Sequence, residues 1–148
     1  MAGSLPSAAG TLMPFEANFN LDEEFERLFD EADERLARAA ANFLTDVLGQ
    51  AGSGTHWPGL PNPSSAPGQY PAEQSGKLRE SIDAQLIEGV WEFGSFNAPP
   101  EAWALEYPSP PNSPITRQSA HGARPWLSKA LTDPDLLERL WAALDGVL

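Results

Sequence analysis

The strongest pattern in the chain is a helical repeat of apolar residues between Asn20 and Gly49. Apolar side chains recur there at steps of three and four: Leu21, Phe25, Leu28, Ala32, Leu36, Ala39, Phe43 and Val47. This spacing places them on one face of an α-helix. Asn20 is a residue type that caps a first turn, and Gly49 is one that ends a helix. Three Glu–Arg pairs four residues apart support the same helix: Glu23–Arg27, Glu31–Arg35 and Glu34–Arg38.

A strand-like alternation follows further along the chain. Residues 84–88 and 90–96 are separated by Gly89, and the second run alternates Val90, Glu92 and Gly94 with Trp91, Phe93 and Ser95. This pattern predicts a β-hairpin. Pro99 and Pro100 then open a predicted helical turn that carries Ala102, Trp103 and Leu105. We expect Trp91, Phe93 and Trp103 to lie in the core.

Three further helices are predicted from their starting residues. Ser75 is placed to cap a short helix with Leu78 and Ile82 on one face. Pro125 suits the first turn of a second helix, whose apolar stripe is Trp126, Leu127, Ala130 and Leu131. A last helix starts at Asp133-Pro134, with a stripe of Leu136, Leu137, Leu140, Trp141 and Leu144.

These elements predict an α+β fold. In it a long N-terminal helix packs on a small antiparallel β-sheet, with short connecting helices and a C-terminal helix. Residues 1–19 read as a flexible arm, because Phe15 and Phe19 are its only large anchors. Residues 20–148 read as a single domain with proline-rich loops at 50–74 and 108–122.

The charge balance limits the possible partners. Twenty-one acids against nine bases give a net charge of −12, which opposes binding to nucleic acid, since such binding draws on clustered Lys and Arg. Two explanations of the negative charge stay open. It provides a surface past which DNA moves without binding, or it keeps the protein soluble through self-repulsion. The chain has no cysteine, so neither disulfides nor thiolate chemistry is expected. No stretch reads as a membrane span or a secretion signal.

Catalytic chemistry finds little support in the residues. The two histidines, His56 and His121, both fall in predicted loops, and no nucleophile elbow accompanies them. Gly52-Ser53-Gly54 lacks the lysine of a phosphate loop. The acids at 22–34 read as a solvated helix face, because no glycine turns them inward as calcium ligands. We therefore expect no enzyme, no cofactor and no metal site.

Binding residues are better represented. Aromatic and arginine side chains anchor many interfaces, and proline-stiffened loops lose little entropy on docking. The candidate interface residues are Trp57, Tyr70, Lys77, Arg79, Tyr107, Arg117 and Arg124. Alternatively, Trp57 and Tyr70 fold back over the core of their own domain. Lys77 and Arg79 are either ordinary surface charges or partners of acids on a neighbouring subunit's long helix.

Four short stretches, in this order, carry a family resemblance: Ser75-Gly76-Lys77-Leu78-Arg79-Glu80-Ser81-Ile82, a strand ending in Gly94-Ser95, Ala102 followed by Glu106-Tyr107, and Ala123-Arg124-Pro125-Trp126-Leu127-Ser128-Lys129-Ala130-Leu131. The order resembles the HK97 gp10-like family of tailed phages, small proteins of the head–tail junction. The match covers roughly residues 66–131. The family usually has Glu-Phe-Gly-Thr where this chain has Glu106-Tyr107-Pro108-Ser109, and a proline there forbids the glycine-type turn.

The resemblance implies a structural virion protein of a siphophage-like particle, assembled in the host cytoplasm. Such a neck or tail-completion component forms a homo-oligomeric ring, six-fold or twelve-fold. The ring links the head connector, adaptor or stopper protein to the tail tube or terminator protein, and DNA passes through its lumen without specific binding. One alternative is a tail terminator that caps the tail tube. Another, of a different class, is an acidic soluble inhibitor or regulatory protein whose long helix mimics nucleic acid.

Overall fold

The computed structural model describes residues 20–107 and 122–147. The predicted arm at 1–19, Arg117, and all of the second proline-rich loop except Gly122 lie outside the described residues. The chain divides into two units, Met1–Asp30 and Glu31–Leu148. In the first unit the described residues are Asn20 and the opening turns of the long helix. The second unit contains the rest of that helix and all the other described elements.

Helix α1 spans Leu21–Leu48, as the apolar repeat predicts. The Asn20 Oδ1 atom accepts hydrogen bonds from the backbone N–H groups of Asp22 and Glu23, at 3.0 and 3.3 Å, so Asn20 is the predicted cap. At the other end, the Arg79 Nε atom donates to the Thr45 carbonyl oxygen at 2.9 Å. This bond satisfies one of the carbonyls that the last turn leaves without an intrahelical partner.

The polar face of α1 carries ion pairs at spacings of three and of four residues. Arg35 and Arg38 pair with Glu31 and Glu34, at 3.8 and 2.8 Å, as expected. Arg27 pairs with Glu24, three residues before it, at 2.9 Å. Both spacings bring side chains together on a helix surface, so sequence spacing alone does not select between them.

The predicted hairpin is present as strands β1, Ile82–Ile87, and β2, Val90–Ser95. They pair antiparallel with Ile82 opposite Ser95 and Ile87 opposite Val90. The two turn residues have positive φ angles, 49° at Glu88 and 82° at Gly89. Positive φ at both positions characterises the two-residue turn that matches the twist of paired strands. Ile82 begins β1 and does not continue the preceding helix, contrary to the prediction.

Four shorter helices complete the described fold. They are α2, Lys77–Glu80; α3, Pro100–Glu106; α4, Leu127–Leu131; and α5, Pro134–Ala143. Asp133 caps α5 by accepting from the Asp135 N–H at 2.9 Å. Helix α4 begins two residues after Pro125, so the proline precedes the helix and is not part of its first turn. The α+β fold class is confirmed: a long N-terminal helix, a two-stranded antiparallel sheet and short helices, one of them C-terminal.

The core lies against the second half of α1. Leu44 is fully buried there and belongs to a cluster with Trp126, which precedes α4, and with one residue of each short helix: Leu78, Leu105, Ala130 and Leu136. A smaller cluster joins Ala37 and Ala41 of α1 to Ala84 of the hairpin, flanked by Trp91 and Phe93. Trp91 and Phe93 therefore support the core, as predicted.

The predicted apolar stripes are only partly buried. Trp103 was expected in the core, but it is 67% exposed. Leu131 of α4 and Leu137 and Trp141 of α5 are exposed as well, while their neighbours Ala130 and Leu136 are buried. A stripe identifies which residues share a helix face, and packing decides how much of that face is covered.

Candidate interaction surface

The residues of the family-like motifs meet at the end of α3. The Glu106 carboxylate accepts from the backbone N–H groups of Trp126 and Leu127, at 3.0 and 2.8 Å, and from the Ser128 N–H and hydroxyl. The Arg124 N–H donates to the Leu105 carbonyl at 2.9 Å. Glu106 thus caps α4 from another element and explains why α4 needs no local cap.

Glu106→Gln is expected to lower the free energy of unfolding by about 1–2 kcal/mol, because an amide keeps one acceptor oxygen where the carboxylate offers two. Glu101→Gln, on the same helix, is the matched control and is expected to change stability by less than about 0.5 kcal/mol. Urea denaturation of the purified variants measures both. Equal stability of the two variants would show that the cap contributes nothing.

Arg124, a candidate interface residue, lies inside the chain. Its side chain is 3% exposed. The Nε and Nη2 atoms donate to the Ser65 carbonyl at 3.1 and 2.9 Å, and Nη1 donates to the Gly122 carbonyl at 2.7 Å. Burial lowers the pKa of the guanidinium, which starts so far above neutrality that it remains charged. Arg124 ties the first proline-rich loop to the segment that precedes α4.

The first proline-rich loop is held by its own hydrogen bonds. The Gly54 N–H donates to the Ser64 carbonyl at 2.8 Å, and the Ser64 N–H donates to the Thr55 carbonyl at 3.0 Å. Trp57 is half-buried, and its Nε1 atom donates to the Ser64 hydroxyl at 3.2 Å. A Cβ at Gly52 would lie 2.2 Å from the Pro63 carbonyl oxygen, so only glycine fits there. The loop therefore has a defined conformation.

Tyr70 also makes its contacts within the chain. Its hydroxyl donates to the Asp133 Oδ2 atom at 2.7 Å, and its ring meets the edge of Phe43 and lies under the Lys129 ammonium, 5.1 Å from the ring centroid. Burial and the bond to Asp133 raise the pKa of Tyr70. The bond from Tyr70 and the Asp135 N–H lower the pKa of Asp133. These contacts match the alternative that Tyr70 covers its own domain.

The two basic candidates of α2 have different surroundings. Arg79 bonds the end of α1 and approaches Gly49, where an added Cβ would lie 2.9 Å from the Arg79 Nε atom. Lys77 is exposed, and within the described residues its ammonium has no ion-pair partner. Arg79 therefore stabilises the fold, while Lys77 is a surface charge.

Tyr107 is exposed and forms an aromatic pair with Trp103 on α3. The two rings stack with centroids 6.1 Å apart and planes 11° from parallel, and Tyr107 is 58% exposed. On the same helix the buried residues are Ala102, Ala104 and Leu105. Two alanines and one leucine thus face the core, while the larger Trp103 and Tyr107 side chains are exposed. Tyr107 follows the last residue of α3 and has an extended backbone, so helical spacing alone does not predict that the two rings stack.

Further apolar side chains are exposed in the second unit. Leu137 and Trp141 lie four residues apart on α5. Leu86 and Val90 lie beside the hairpin turn but on opposite faces of it, because Leu86 is opposite Trp91 and Val90 is opposite Ile87. Exposed aromatic and aliphatic groups in contiguous patches are typical of protein–protein contact sites.

A cleft of about 410 Å³ opens between the first proline-rich loop and α4. Gln50, Ser53, Gln69, Tyr70 and Lys129 are among its lining residues. Neutral polar groups dominate the lining, and no acid–base pair lies within it. Across residues 20–107 and 122–147, no cluster of His, Cys, Asp and Glu could hold a metal ion. None of the helices in these ranges has the length and apolar character needed to cross a membrane.

Comparisons of the chain with protein-family models, with curated proteins and with solved structures found no match.

Proposed function

We propose that the chain is a structural subunit of the head–tail junction of a tailed, siphophage-like virion. The observation that carries the proposal is the exposed Trp103–Tyr107 stack at the end of α3. Aromatic side chains that a domain leaves in water are the groups that most often dominate an interface. Tyr107 directly follows Glu106, whose carboxylate accepts hydrogen bonds from the backbone of the motif segment that contains Trp126 and Leu127.

The motif residues support the same proposal by their packing. Leu78 and Trp126 meet in one core cluster, and Glu106 caps the helix that follows Trp126. Residues that resemble a family in order therefore also form one connected structure in this chain. The spacing of the motifs along the chain is therefore the spacing that lets these residues contact one another in the fold.

In this function the subunits associate head-to-tail into a closed ring, six-fold or twelve-fold, with the Trp103–Tyr107 stack at the contact between copies. The ring joins a head connector, adaptor or stopper protein to a tail tube or terminator protein. DNA passes through the lumen without specific binding, since a chain of net charge −12 repels phosphate. No catalytic step is involved.

Trp103→Ala combined with Tyr107→Ala is expected to abolish the ring and leave the subunit folded. The two rings are exposed, so their loss changes the free energy of unfolding by less than about 1 kcal/mol, while truncating interface anchors costs about 2 kcal/mol or more of binding. Light scattering after size-exclusion chromatography measures the mass, and electron microscopy shows the ring. Phe29→Ala, another exposed aromatic, is the control and keeps the ring.

The outcomes separate the function from the surface assigned to it. A mass of six or twelve times the 16.0 kDa chain, together with unjoined heads and tails when the gene is deleted, supports the head–tail function. A ring that survives the double substitution places the contact elsewhere on the subunit. A wild-type protein that stays monomeric and is absent from particles contradicts the proposal and favours the acidic regulatory protein.

A further inference from the structure

The opening turns of α1 expose an apolar stripe. Leu21, Phe25 and Phe29 are 54%, 47% and 63% exposed, and the two phenylalanine rings stack with centroids 6.2 Å apart. Leu28 is half-buried beside them. With about 100° between successive residues of an α-helix, these four side chains fill an arc of about 100°. An arc of this width is the contact face of a docked amphipathic helix.

Acidic side chains border this stripe on both sides. Residues 21–30 contain five acids and one base. Around the helix axis, Asp22 and Glu26 lie next to Phe29 at one border of the stripe. Glu24 lies next to Leu28 at the other border. The single base, Arg27, is already bonded to Glu24 at 2.9 Å. The segment Leu21–Asp30 therefore offers an apolar face with an acidic rim, named here the acidic docking helix.

The charge of the rim determines which partner fits. Carboxylates desolvated at the edge of an interface need cations opposite them, and complementary charge also steers the encounter. A suitable partner has an apolar groove bordered by lysine and arginine side chains.

A second copy of the chain does not provide such a groove among its described residues. The exposed pair Leu137 and Trp141 adjoins Glu138 on α5, and the exposed Val90 is flanked by Glu88 and Glu92 in the hairpin. Helix α3, which carries Trp103, has two acids, Glu101 and Glu106, and no base. Each of these apolar patches would bring acid against acid.

The preceding segment is also a poor match in charge. Residues 1–19 contain one acid, Glu16, and no lysine or arginine. Among the described cations outside the docking helix, Arg35, Arg38 and Arg139 are held by carboxylates of their own chain. Lys77 has no ion-pair partner among the described residues, but α2 buries its one apolar residue, Leu78, so this helix offers no apolar groove beside the lysine. Lys129 lies over the Tyr70 ring of its own chain.

We infer that Leu21–Asp30 is a docking helix for a different protein, one that presents an apolar groove with a basic rim. Phe25 and Phe29 enter the groove as anchors, and Asp22 and Glu26 pair with the cations at its edge. The inference goes beyond the proposed ring and does not depend on it, because it uses a different surface and a different kind of partner.

The experiment uses the full chain and a synthetic probe of the stated chemistry. The probe is a helical peptide of about 20 residues built from leucine and lysine, with leucine at i, i+3, i+4 and i+7 so that one face is apolar and its borders are basic. Isothermal titration calorimetry gives Kd at about 50 and about 300 mM sodium chloride, on either side of physiological screening.

Phe25→Ala combined with Phe29→Ala is expected to weaken probe binding at least about tenfold. The matched control, Leu137→Ala combined with Trp141→Ala, removes another exposed apolar pair four residues apart, also beside acids, and is expected to change Kd less than about twofold. Asp22→Asn combined with Glu26→Gln is expected to weaken binding at low salt and to flatten its salt dependence.

Several results would overturn the inference. One is an equal loss of binding in the phenylalanine and control variants, which would mean that the probe binds by net charge alone. Another is a lower oligomeric mass for the phenylalanine variant, which would make a second copy the occupant. A third is a photo-cross-link from p-benzoylphenylalanine at position 29 to residues 1–19 of the same chain. Failure of the proposed ring would instead appear as a wild-type monomer that still binds the probe.

Discussion

Trp126→Ala is expected to lower the free energy of unfolding by about 3–5 kcal/mol, the range for removing a large aromatic side chain from a packed core. Trp126 is 5% exposed and packs with Leu44, Leu105 and Ala130. Its Nε1 atom donates to the Ala102 carbonyl oxygen at 2.7 Å. The substitution therefore leaves both a cavity and a buried acceptor without its donor.

The measurement is denaturant unfolding of the purified variant, with Trp141→Ala as the matched control. Trp141 is on α5 and exposed, so its truncation is expected to change stability by less than about 1 kcal/mol. Trp126→Phe refills most of the volume and isolates the hydrogen bond, with an expected loss of about 1–3 kcal/mol. Similar losses for Trp126→Ala and Trp141→Ala would contradict the core described here.

Arg124→Lys is expected to lower the free energy of unfolding by about 2–4 kcal/mol, although the charge is retained. The guanidinium makes three hydrogen bonds to the carbonyl oxygens of Ser65 and Gly122. A lysine ammonium is a compact charge at the end of a flexible stem and cannot span both acceptors in the same way. It would leave a buried charge incompletely bonded, and hydrogen bonds to charged groups contribute about 1.5–3 kcal/mol each.

Arg139→Lys provides the control because it makes the same chemical change at the surface. Arg139 pairs with Asp46 at 2.6 Å, with both side chains substantially exposed. Exposed ion pairs contribute about 0–1 kcal/mol, so a small effect is expected. Hydrogen exchange adds a second readout: Arg124→Lys should increase exchange at Gly54 and Ser64, whose amide groups hold the first proline-rich loop. A loop that stays protected in this variant would show that Arg124 does not anchor it.

The position of Arg124 also changes how the first proline-rich loop is understood. The sequence indicated an anchor for a partner at Trp57, but the loop is tied to its own domain through Ser65 and through the Trp57–Ser64 bond. An interaction through this loop would therefore use a preformed surface. A preformed surface loses less conformational entropy on docking. Because Trp57 is only half-buried, it stays a candidate contact residue.

The sequence by itself determined the local elements whose signals lie within a few residues. Asn20 caps α1 through its own side chain, and the apolar repeat carries the helix to Leu48. The alternation and Gly89 predict the hairpin, although Glu88, which was assigned to the first strand, is a turn residue with positive φ. Asp133-Pro134 begins α5 for the same local reason.

Tertiary structure decided which faces are covered and which distant groups meet. Trp103 and Trp126 are both tryptophans at helical spacing, yet one is exposed and the other buried. Periodicity shows which side chains share a helix face, but it does not show whether that face is directed toward the core or toward solvent. Glu106 caps α4 from twenty residues away, and Arg124 reaches Ser65 across 59 positions. Contacts at such separations depend on how the elements pack, and no local pattern in a single chain encodes that packing.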